Sequence, residues 1–176
     1  MNETLKTLIE RRSCRSYRPD PIPADLLDQI LEAGTYAATG MGRQSPIMIA
    51  VTDQETRNRL SRMNADVMGA GNDPFYGAPV VIVVLADRAV PTYLYDGSLV
   101  MGNLMNAAHS LGIASCWIHR AREEFDSAEG KAILKDLGIE GDYEGIGHCV
   151  IGYDAYADDE YPEAAKRKDG RVFWVE

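Results

Sequence analysis

The sequence predicts a mixed α+β fold with one central sheet. Continuous apolar runs of strand length, such as Pro79–Leu85, point to strands. Other stretches, such as Tyr93–Leu111, carry apolar residues at spacings of three and four and point to helices. The 176 residues are enough for one sizeable core and too few for two ordinary domains, so we expect a single domain over residues 1–176.

The first half of the chain favours three helices and one strand. Apolar residues at helical spacing predict a first helix over residues 3–12, and Pro23 suits the first turn of a second helix. A glycine-rich loop over residues 39–46 comes next. The run Ile47–Val51 then predicts a strand, and Asp53–Met68 predicts a helix.

The second half adds buried strands and a long helix. Because Pro79–Leu85 is apolar throughout, we expect a strand that is buried on both faces. The apolar helix predicted over residues 93–111 belongs in a core or a subunit interface. Asp126 with Glu129 resembles a capping box that opens another helix. Further strands are expected at Ile113–Ile118, at Ile146–Ile151 and, as an extended fifth strand, at Arg171–Val175.

The C-terminal segment is harder to place within one chain. A polar stretch over residues 154–168 leads into the short aromatic strand predicted at 171–175. This pattern is typical of an arm that either closes its own sheet or crosses onto a partner chain. We favour the partner.

Two basic clusters stand out in an acidic chain. Each cluster, Arg11–Arg18 and Lys166–Arg171, holds four of the 18 Lys and Arg residues, while the formal net charge is −9. Such local concentration indicates an anionic ligand, and the overall negative field disfavours nucleic acid. A small phosphorylated molecule held by Arg contacts and a hydroxyl fits better. The alternative is that both clusters are solvated chain ends.

Other site classes lack support in the sequence. The three cysteines are widely spaced without a C-x-x-C pair, which favours reduced thiols over a disulfide framework or a metal site. A ligand trio of the three histidines is one alternative, but histidines at such spacing are more common in a core or on a surface, so we expect no metal. The glycine loop matches neither the dinucleotide fingerprint nor the P-loop. No apolar run could span a membrane and no secretory pattern opens the chain, so we expect a cytoplasmic protein.

Five short motifs together carry a family resemblance. They are Arg11-Arg12-Ser13-x-Arg15-x-Tyr17, the loop Gly40–Pro46, Tyr95-Asp96-Gly97-Ser98, Gly112-Ile113-x-Ser115-Cys116-Trp117 and Tyr143-Glu144-Gly145. In this order and spacing they resemble the flavin-dependent nitroreductase family, especially its short single-domain members. The resemblance covers nearly the whole chain.

The resemblance implies a central mixed, mostly antiparallel sheet flanked by helices, in an interlocked homodimer whose C-terminal arm crosses to the partner. Each interface site would bind one FMN with residues of both chains. The loop over residues 39–44 would come from the other subunit. The implied FMN contacts are Arg11, Arg12, Ser13, Arg15, Thr39, Gly40, Met41, Arg43, Gln44, Trp117, Lys166, Arg167 and Lys168.

Two further groups of contacts follow from the same resemblance. Gly141, with Asp142 beside it, falls where many relatives carry a backbone N–H that reaches flavin N5. The residues expected to line an open apolar substrate pocket are Met68, Asn72, Phe75 and Tyr76. No protein acid or base is implied, because the flavin performs the hydride chemistry.

The implied activity is a ping-pong reaction. NADH or NADPH would reduce FMN, and a nitroaromatic, a quinone or another flat electrophile would then take its place at the ring. Two alternatives stay open: a specialised flavin enzyme of the same fold that acts on a defined metabolite, and a flavin-binding store, sensor or partner protein without significant turnover. We expect neither nucleic acid nor a membrane as partner.

Overall fold

The computed structural model describes residues 1–156 and 160–176, so residues 157–159 of the predicted polar segment lie outside the described chain. The described part confirms the α+β class. Its helices are α1 (Glu3–Glu10), α2 (Ala24–Thr35), α3 (Gln54–Met68), α4 (Tyr93–Ser110), α5 (Ala121–Asp126) and α6 (Ala128–Asp136). Its strands are β1 (Pro46–Val51), β2 (Val80–Asp87), β3 (Ala114–Ile118) and β4 (Tyr143–Gly152).

The four strands form one antiparallel sheet in the order β1-β2-β4-β3. All three pairings between these strands are antiparallel, and the one parallel pairing in the described part of the chain is an isolated bridge between Ser13 and Ser115 of β3. Strands β1 and β3 are the two edges. Val84 lies opposite Gly147 and Leu85 opposite Gly145, so Ile146 is the extra residue of a β-bulge.

Strand β2 separates two apolar cores because successive side chains point to opposite faces of the sheet. Val81 and Leu85 pack with buried residues of α3, α5 and α6. Val80 and Val84 pack with buried residues of α2 and α4. This arrangement confirms the burial on both faces that was expected for Pro79–Leu85.

Two segments differ from the sequence-based expectation. Helix α5 was not predicted, and it ends at Asp126, the residue expected to cap the next helix. The side chain of Ser127 caps α6 instead, because its Oγ accepts a hydrogen bond from the backbone N–H of Gly130 (3.1 Å). Asp126 is engaged elsewhere, by the guanidinium of Arg88.

The predicted fifth strand is not formed by this chain alone. Residues 171–176 pair with no strand of the described chain, and a strand needs a neighbouring edge for its backbone groups. Phe173 and Trp174 extend into solvent with 86% and 84% of their surface exposed. The correction concerns only the isolated chain.

A close backbone approach joins β4 to the start of α5. A Cβ atom at position 145 would lie 2.2 Å from the carbonyl oxygen of Ala121, which is far inside van der Waals contact. Only glycine fits there. The contact holds the turn after β3 against the central strand.

A carboxylate clamp fixes the loop between α3 and β2. Asp73 accepts hydrogen bonds from Arg57 Nη2 and Ser61 Oγ, both at 2.6 Å. It also accepts from the backbone N–H groups of Phe75 (3.0 Å) and Gly77 (2.8 Å). Burial by itself would raise the pKa of Asp73, but these donors hold that pKa below its ordinary value. Among the described helices, none is long and apolar enough to cross a membrane.

Candidate functional site

The N-terminal basic cluster lies along the free edge of β3. The backbone N–H of Cys14 donates to the carbonyl oxygen of Ser115 (2.9 Å), and Ser13 forms a parallel β-bridge with Ser115. Because residues opposite each other in a parallel bridge point the same way, Ser13 and Ser115 share one face. The edge position of β3 therefore brings two segments that are remote in sequence into one site.

The guanidinium groups of the cluster differ in their partners. Arg12 Nη1 donates to the carbonyl oxygens of Ile9 (2.7 Å) and Arg11 (2.8 Å), so it satisfies acceptors that the end of α1 leaves unpaired. Arg11 Nη1 is buried and has no hydrogen-bond partner among the described residues. Arg15 is exposed. Arg11 thus carries a buried guanidinium nitrogen that lacks an acceptor among the described residues.

Ser115 presents a second unpaired polar group at the same place. Ser115 is 1% exposed, and its Oγ has no hydrogen-bond partner among the residues that the structure describes. Buried donors without partners are costly, so such groups commonly await a ligand or an ordered water. The sequence reasoning used Ser115 only as part of a motif and did not assign it to the site. Its signal was a hydroxyl in an otherwise apolar strand.

The field of the cluster also acts on nearby titratable groups. Burial raises the pKa of Cys116, while the positive charges of Arg15 and Arg11 act in the opposite direction. Burial lowers the pKa of His109; Glu10 opposes this shift, and Arg11 and Arg12 add to it. His109 belongs to the last turn of α4, so the C-terminal end of α4 lies beside the cluster.

The glycine-rich loop lies at the other end of α4. The backbone N–H of Gly40 donates to the carboxylate of Asp96, which belongs to the first turn of that helix. Thirteen residues of helix separate Asp96 from His109, which is about 20 Å. Met41, Arg43 and Gln44 are exposed there, with Thr39 and Gly40 half-buried. The structure therefore does not bring the loop and the basic cluster together within one chain.

Gly141 and Asp142 share the end of the molecule that holds the loop. They precede β4, and Asp142 pairs with Arg88 (2.9 Å). Ile151, which lies opposite Ser115, is eight residues further along β4 than Tyr143, or about 26 Å. Within one protomer these residues are therefore remote from the basic cluster.

Trp117 lies two residues beyond Ser115 on the same face of β3. Its indole packs on β4, where a Cβ at position 147 would come within 2.3 Å of Nε1. Glycine at 147 leaves the room for this ring. Trp117 is thus fixed beside the cluster, and part of it stays accessible.

The residues predicted for the substrate pocket separate into two groups. Met68, Asn72 and Tyr76 are exposed. Phe75 is fully buried, its ring 5.1 Å from that of His148 and 5.4 Å from the guanidinium carbon of Arg57. Phe75 belongs to the core, because the Asp73 clamp turns the loop inward at that point.

The C-terminal basic cluster stays in solvent. Lys166, Arg167 and Lys168 are exposed, and Arg167 donates only to the carbonyl oxygen of Ala165 within the described chain. The chain passes the N-terminal cluster earlier, at Tyr161. Burial raises the pKa of Tyr161, and Arg11 and Arg12 oppose that shift.

Comparison with known proteins adds independent information. A model of the nitroreductase family matches residues 8–153. The chain is similar to a nitroreductase with bound FMN from Bacteroides fragilis NCTC 9343, with a TM-score of 0.89, 31% identity and full coverage of both chains. It is also similar to a nitroreductase with bound FMN from Desulfitobacterium hafniense DCB-2, with a TM-score of 0.86, 29% identity and full coverage of both chains.

The first curated relatives that the chain matches are longer than the chain itself. The chain is 29% identical over 145 residues to an FMN reductase (NAD(P)H) from Bacillus subtilis strain 168, which covers 69% of this chain and 56% of that protein. It spans 56%, 60% and 57% of the length of the first curated relatives that it matches.

Proposed function

The chain belongs to the nitroreductase family, and from this premise we propose that it is an FMN-dependent oxidoreductase. NADH or NADPH would supply the electrons, and nitroaromatics, quinones or similar flat electrophiles would accept them. The observation that carries the proposal is that Arg11 Nη1 and Ser115 Oγ are both buried without a partner among the described residues, on two segments that the bridge between Ser13 and Ser115 joins. Similar proteins of known structure hold FMN.

The arrangement suits the phosphate end of FMN. A phosphate oxygen accepts a charge-assisted hydrogen bond from a guanidinium and a second bond from a hydroxyl, and Arg11, Ser13 and Ser115 offer these donors on one face. Arg12 is already bonded to the end of α1, so we assign it the role of closing that helix and adding charge. Arg15 would approach from the exposed side.

We further propose that the site is completed by a second copy of the chain. The loop over residues 39–44 and the cluster over 11–15 lie at opposite ends of α4, about 20 Å apart, so one chain cannot place both on one flavin. Apolar residues also remain exposed along α1 and α4, among them Leu8, Leu94 and Leu99. Two antiparallel copies of α4 would bury these residues and bring each loop to the partner's cluster.

The C-terminal arm fits the same homodimer. Val172–Val175 is apolar and exposed, and β1 is an edge strand of the sheet. Crossing to the partner would bury the arm and bring Lys166, Arg167 or Lys168 towards a phosphate from its second side. This supports an interlocked dimer over two solvated chain ends.

Bound FMN would supply the hydride transfer through its N5, so that reductant and acceptor use one pocket in turn. The chain's residues would hold and orient the cofactor. Trp117 would limit the site on the β3 side. A flavin bound at Arg11 does not reach Gly141 or Asp142 of the same chain, so any contact from these residues would come from the partner, together with the loop. Met68, Asn72 and Tyr76 remain the proposed pocket residues, without Phe75.

Reconstitution with FMN tests the proposal. The purified protein, titrated with FMN, is expected to quench flavin fluorescence, and NADH or NADPH should then bleach the flavin absorbance. Adding menadione or nitrofurazone should restore the absorbance and sustain NAD(P)H oxidation. Failure to bind FMN would refute the proposal. Binding without bleaching would favour the flavin store or sensor.

Removal of residues 171–176 tests the dimer. The shortened protein is expected to shift towards monomer in size-exclusion chromatography with light scattering, and to lose FMN affinity in parallel. Lys168→Ser is the matched control, because it keeps the apolar arm and should stay dimeric. A truncated protein with unchanged mass and affinity would contradict the crossing arm.

A further inference from the structure

We propose that Asp96 is a positioning residue that holds the Gly40–Gln44 loop in the shape that the flavin site requires. This inference rests on the proposed function, because only a bound flavin gives the loop a role. Asp96 belongs to a sequence motif, but its side chain was not assigned to any site. It would act through the loop backbone without touching the cofactor.

Asp96 ties both ends of the loop to the start of α4. Asp96 is 2% exposed, and its Oδ1 accepts a hydrogen bond from the backbone N–H of Gly40 (3.0 Å). Its Oδ2 accepts from Ser45 Oγ (3.0 Å) and from Thr92 Oγ1 (3.0 Å). Gly40 opens the loop and Ser45 follows it, while Thr92 immediately precedes α4. One carboxylate therefore holds the two ends of the loop together and attaches them to the start of α4.

Neutral hydrogen-bond donors stabilise the carboxylate of Asp96. Among the described residues, no Lys, Arg or His forms an ion pair with Asp96. Its place in the first turn of α4 puts it at the positive end of the helix dipole. The three donors and the helix end together replace the water that burial removes. A neutral side chain of the same shape would lose part of this set.

The loop needs such a restraint because its backbone is in an unfavourable conformation. Met41, Gly42 and Gln44 have φ values of 52°, 65° and 49°, in the left-handed region. Non-glycine residues stay in that region only when their surroundings hold them there. The loop's own hydrogen bonds, such as Gly42 N–H to the carbonyl oxygen of Thr39 (3.1 Å), close the turn without attaching it to the domain. Asp96 provides the attachment.

The side chains that the loop presents do not pack in the core. Met41 is 82% exposed, and Arg43 and Gln44 are also exposed. The buried hydroxyl of Ser45, the half-buried hydroxyl of Thr92 and the buried carboxylate thus fix a segment whose side chains face outward. Gly40 adds to this contact, since a Cβ there would lie 2.3 Å from Thr92 Oγ1. A rigid outward-facing loop is what a partner's flavin would need.

Two measurements on Asp96→Asn test the inference. In the FMN-free protein, amide hydrogen exchange over residues 39–45 should become faster, with exchange in β2 and β4 unchanged. FMN titration should show a dissociation constant raised by about tenfold or more. Ser45→Ala and Thr92→Val each remove one donor and keep the carboxylate, so they cover the case in which Asp96→Asn fails to fold. We expect each to weaken FMN binding by about 3- to 10-fold.

Asp53→Ala is the matched control. Asp53 is a carboxylate that accepts a backbone N–H, that of Thr56 (2.8 Å), and it lies beyond the opposite end of β1 from Ser45. Its removal should lower thermal stability and leave FMN affinity unchanged. A merely structural role of Asp96 predicts that all variants lose affinity in proportion to their loss of stability.

The outcomes separate the two claims. Suppose that wild-type protein binds FMN and that Asp96→Asn, Ser45→Ala and Thr92→Val bind it as tightly as wild type, or lose no more affinity than Asp53→Ala does. The role of Asp96 is then refuted and the proposed function stands. Unchanged exchange in the loop of Asp96→Asn refutes it as well. If wild-type protein does not bind FMN, the proposed function fails and this inference fails with it.

Discussion

Replacement of Arg11 by methionine should weaken FMN binding without weakening the fold. Methionine keeps most of the apolar length of the arginine stem, so the change removes the charge and the donors. In the FMN-free protein, Arg11 Nη1 is buried without a partner. The variant therefore separates a ligand-binding role from a structural one.

The structure sets the sign of both effects. An unpaired buried donor costs about 1–3 kcal/mol, so Arg11→Met should be at least as stable as wild type when FMN is absent. A charge-assisted hydrogen bond to phosphate contributes about 1.5–3 kcal/mol, so the FMN dissociation constant should rise about 10- to 150-fold. Affinity and stability are thus expected to move in different directions.

The assay pairs FMN fluorescence titration with urea denaturation followed by circular dichroism. Protein concentration is held constant, because dimerisation would make stability depend on it. Arg12→Met serves as the contrast. Arg12 donates to the carbonyl oxygens of Ile9 and Arg11, so its loss should destabilise the FMN-free protein by roughly 0.5–1.5 kcal/mol per bond.

Two results would refute the reasoning about Arg11. One is an FMN affinity of Arg11→Met equal to that of wild type, which would mean that the N-terminal basic cluster is a solvated surface segment and binds no phosphate. The other is a loss of more than about 1 kcal/mol of stability without FMN, which would mean that the guanidinium supports the fold.

Three further predictions concern the fold. The pKa of Asp73 is lowered in the folded state, so the stabilisation of the fold by its carboxylate is complete above the unfolded pKa of about 3.9 and is lost as pH falls below that value. Asp73→Asn should therefore unfold at a lower urea concentration than wild type at pH 7, and it should lose less stability than wild type between pH 5 and pH 3. An equal dependence of stability on pH in the two proteins would contradict this. Gly145→Ala should lower the melting temperature strongly, because its Cβ would meet the carbonyl oxygen of Ala121, whereas Gly71→Ala meets nothing within 4 Å and serves as control. All three thiols are buried, and burial raises the pKa of Cys149 to about 12. Ellman's reagent should therefore label none of them rapidly in folded protein and all three in guanidinium chloride. Fast labelling of folded protein would show that the N-terminal segment opens.

Periodicity was sufficient for most of the elements. The apolar run Pro79–Leu85 and the long repeat Tyr93–Leu111 correspond to β2 and α4, because burial on a strand or on a helix leaves a pattern in neighbouring residues. Helix α5 was missed because its six residues are too few to show a period. The cap of α6 was misplaced by one residue, since Asp126 and Ser127 are both good capping residues and only the ion pair with Arg88 distinguishes them.

The site was predictable in part. The concentration of Arg11, Arg12 and Arg15 in an acidic chain was visible in the sequence, and the structure places these residues with Ser13 along one strand edge. Ser115 was missed because its contribution depends on a β-bridge to Ser13. Phe75 was predicted for the pocket as an aromatic residue of the loop region over residues 63–76, yet the Asp73 clamp turns it into the core.

By itself, the sequence determined the fold class, the positions of most helices and strands, the family resemblance and the residues that carry positive charge. These properties depend on neighbouring residues or on ordered motifs. Only the tertiary structure decided that Arg11 Nη1 is left without a partner, that Asp96 clasps the glycine-rich loop and that this loop lies about 20 Å from the cluster along α4. Such facts depend on distances between segments remote in sequence, and these distances are set by strand order and helix packing.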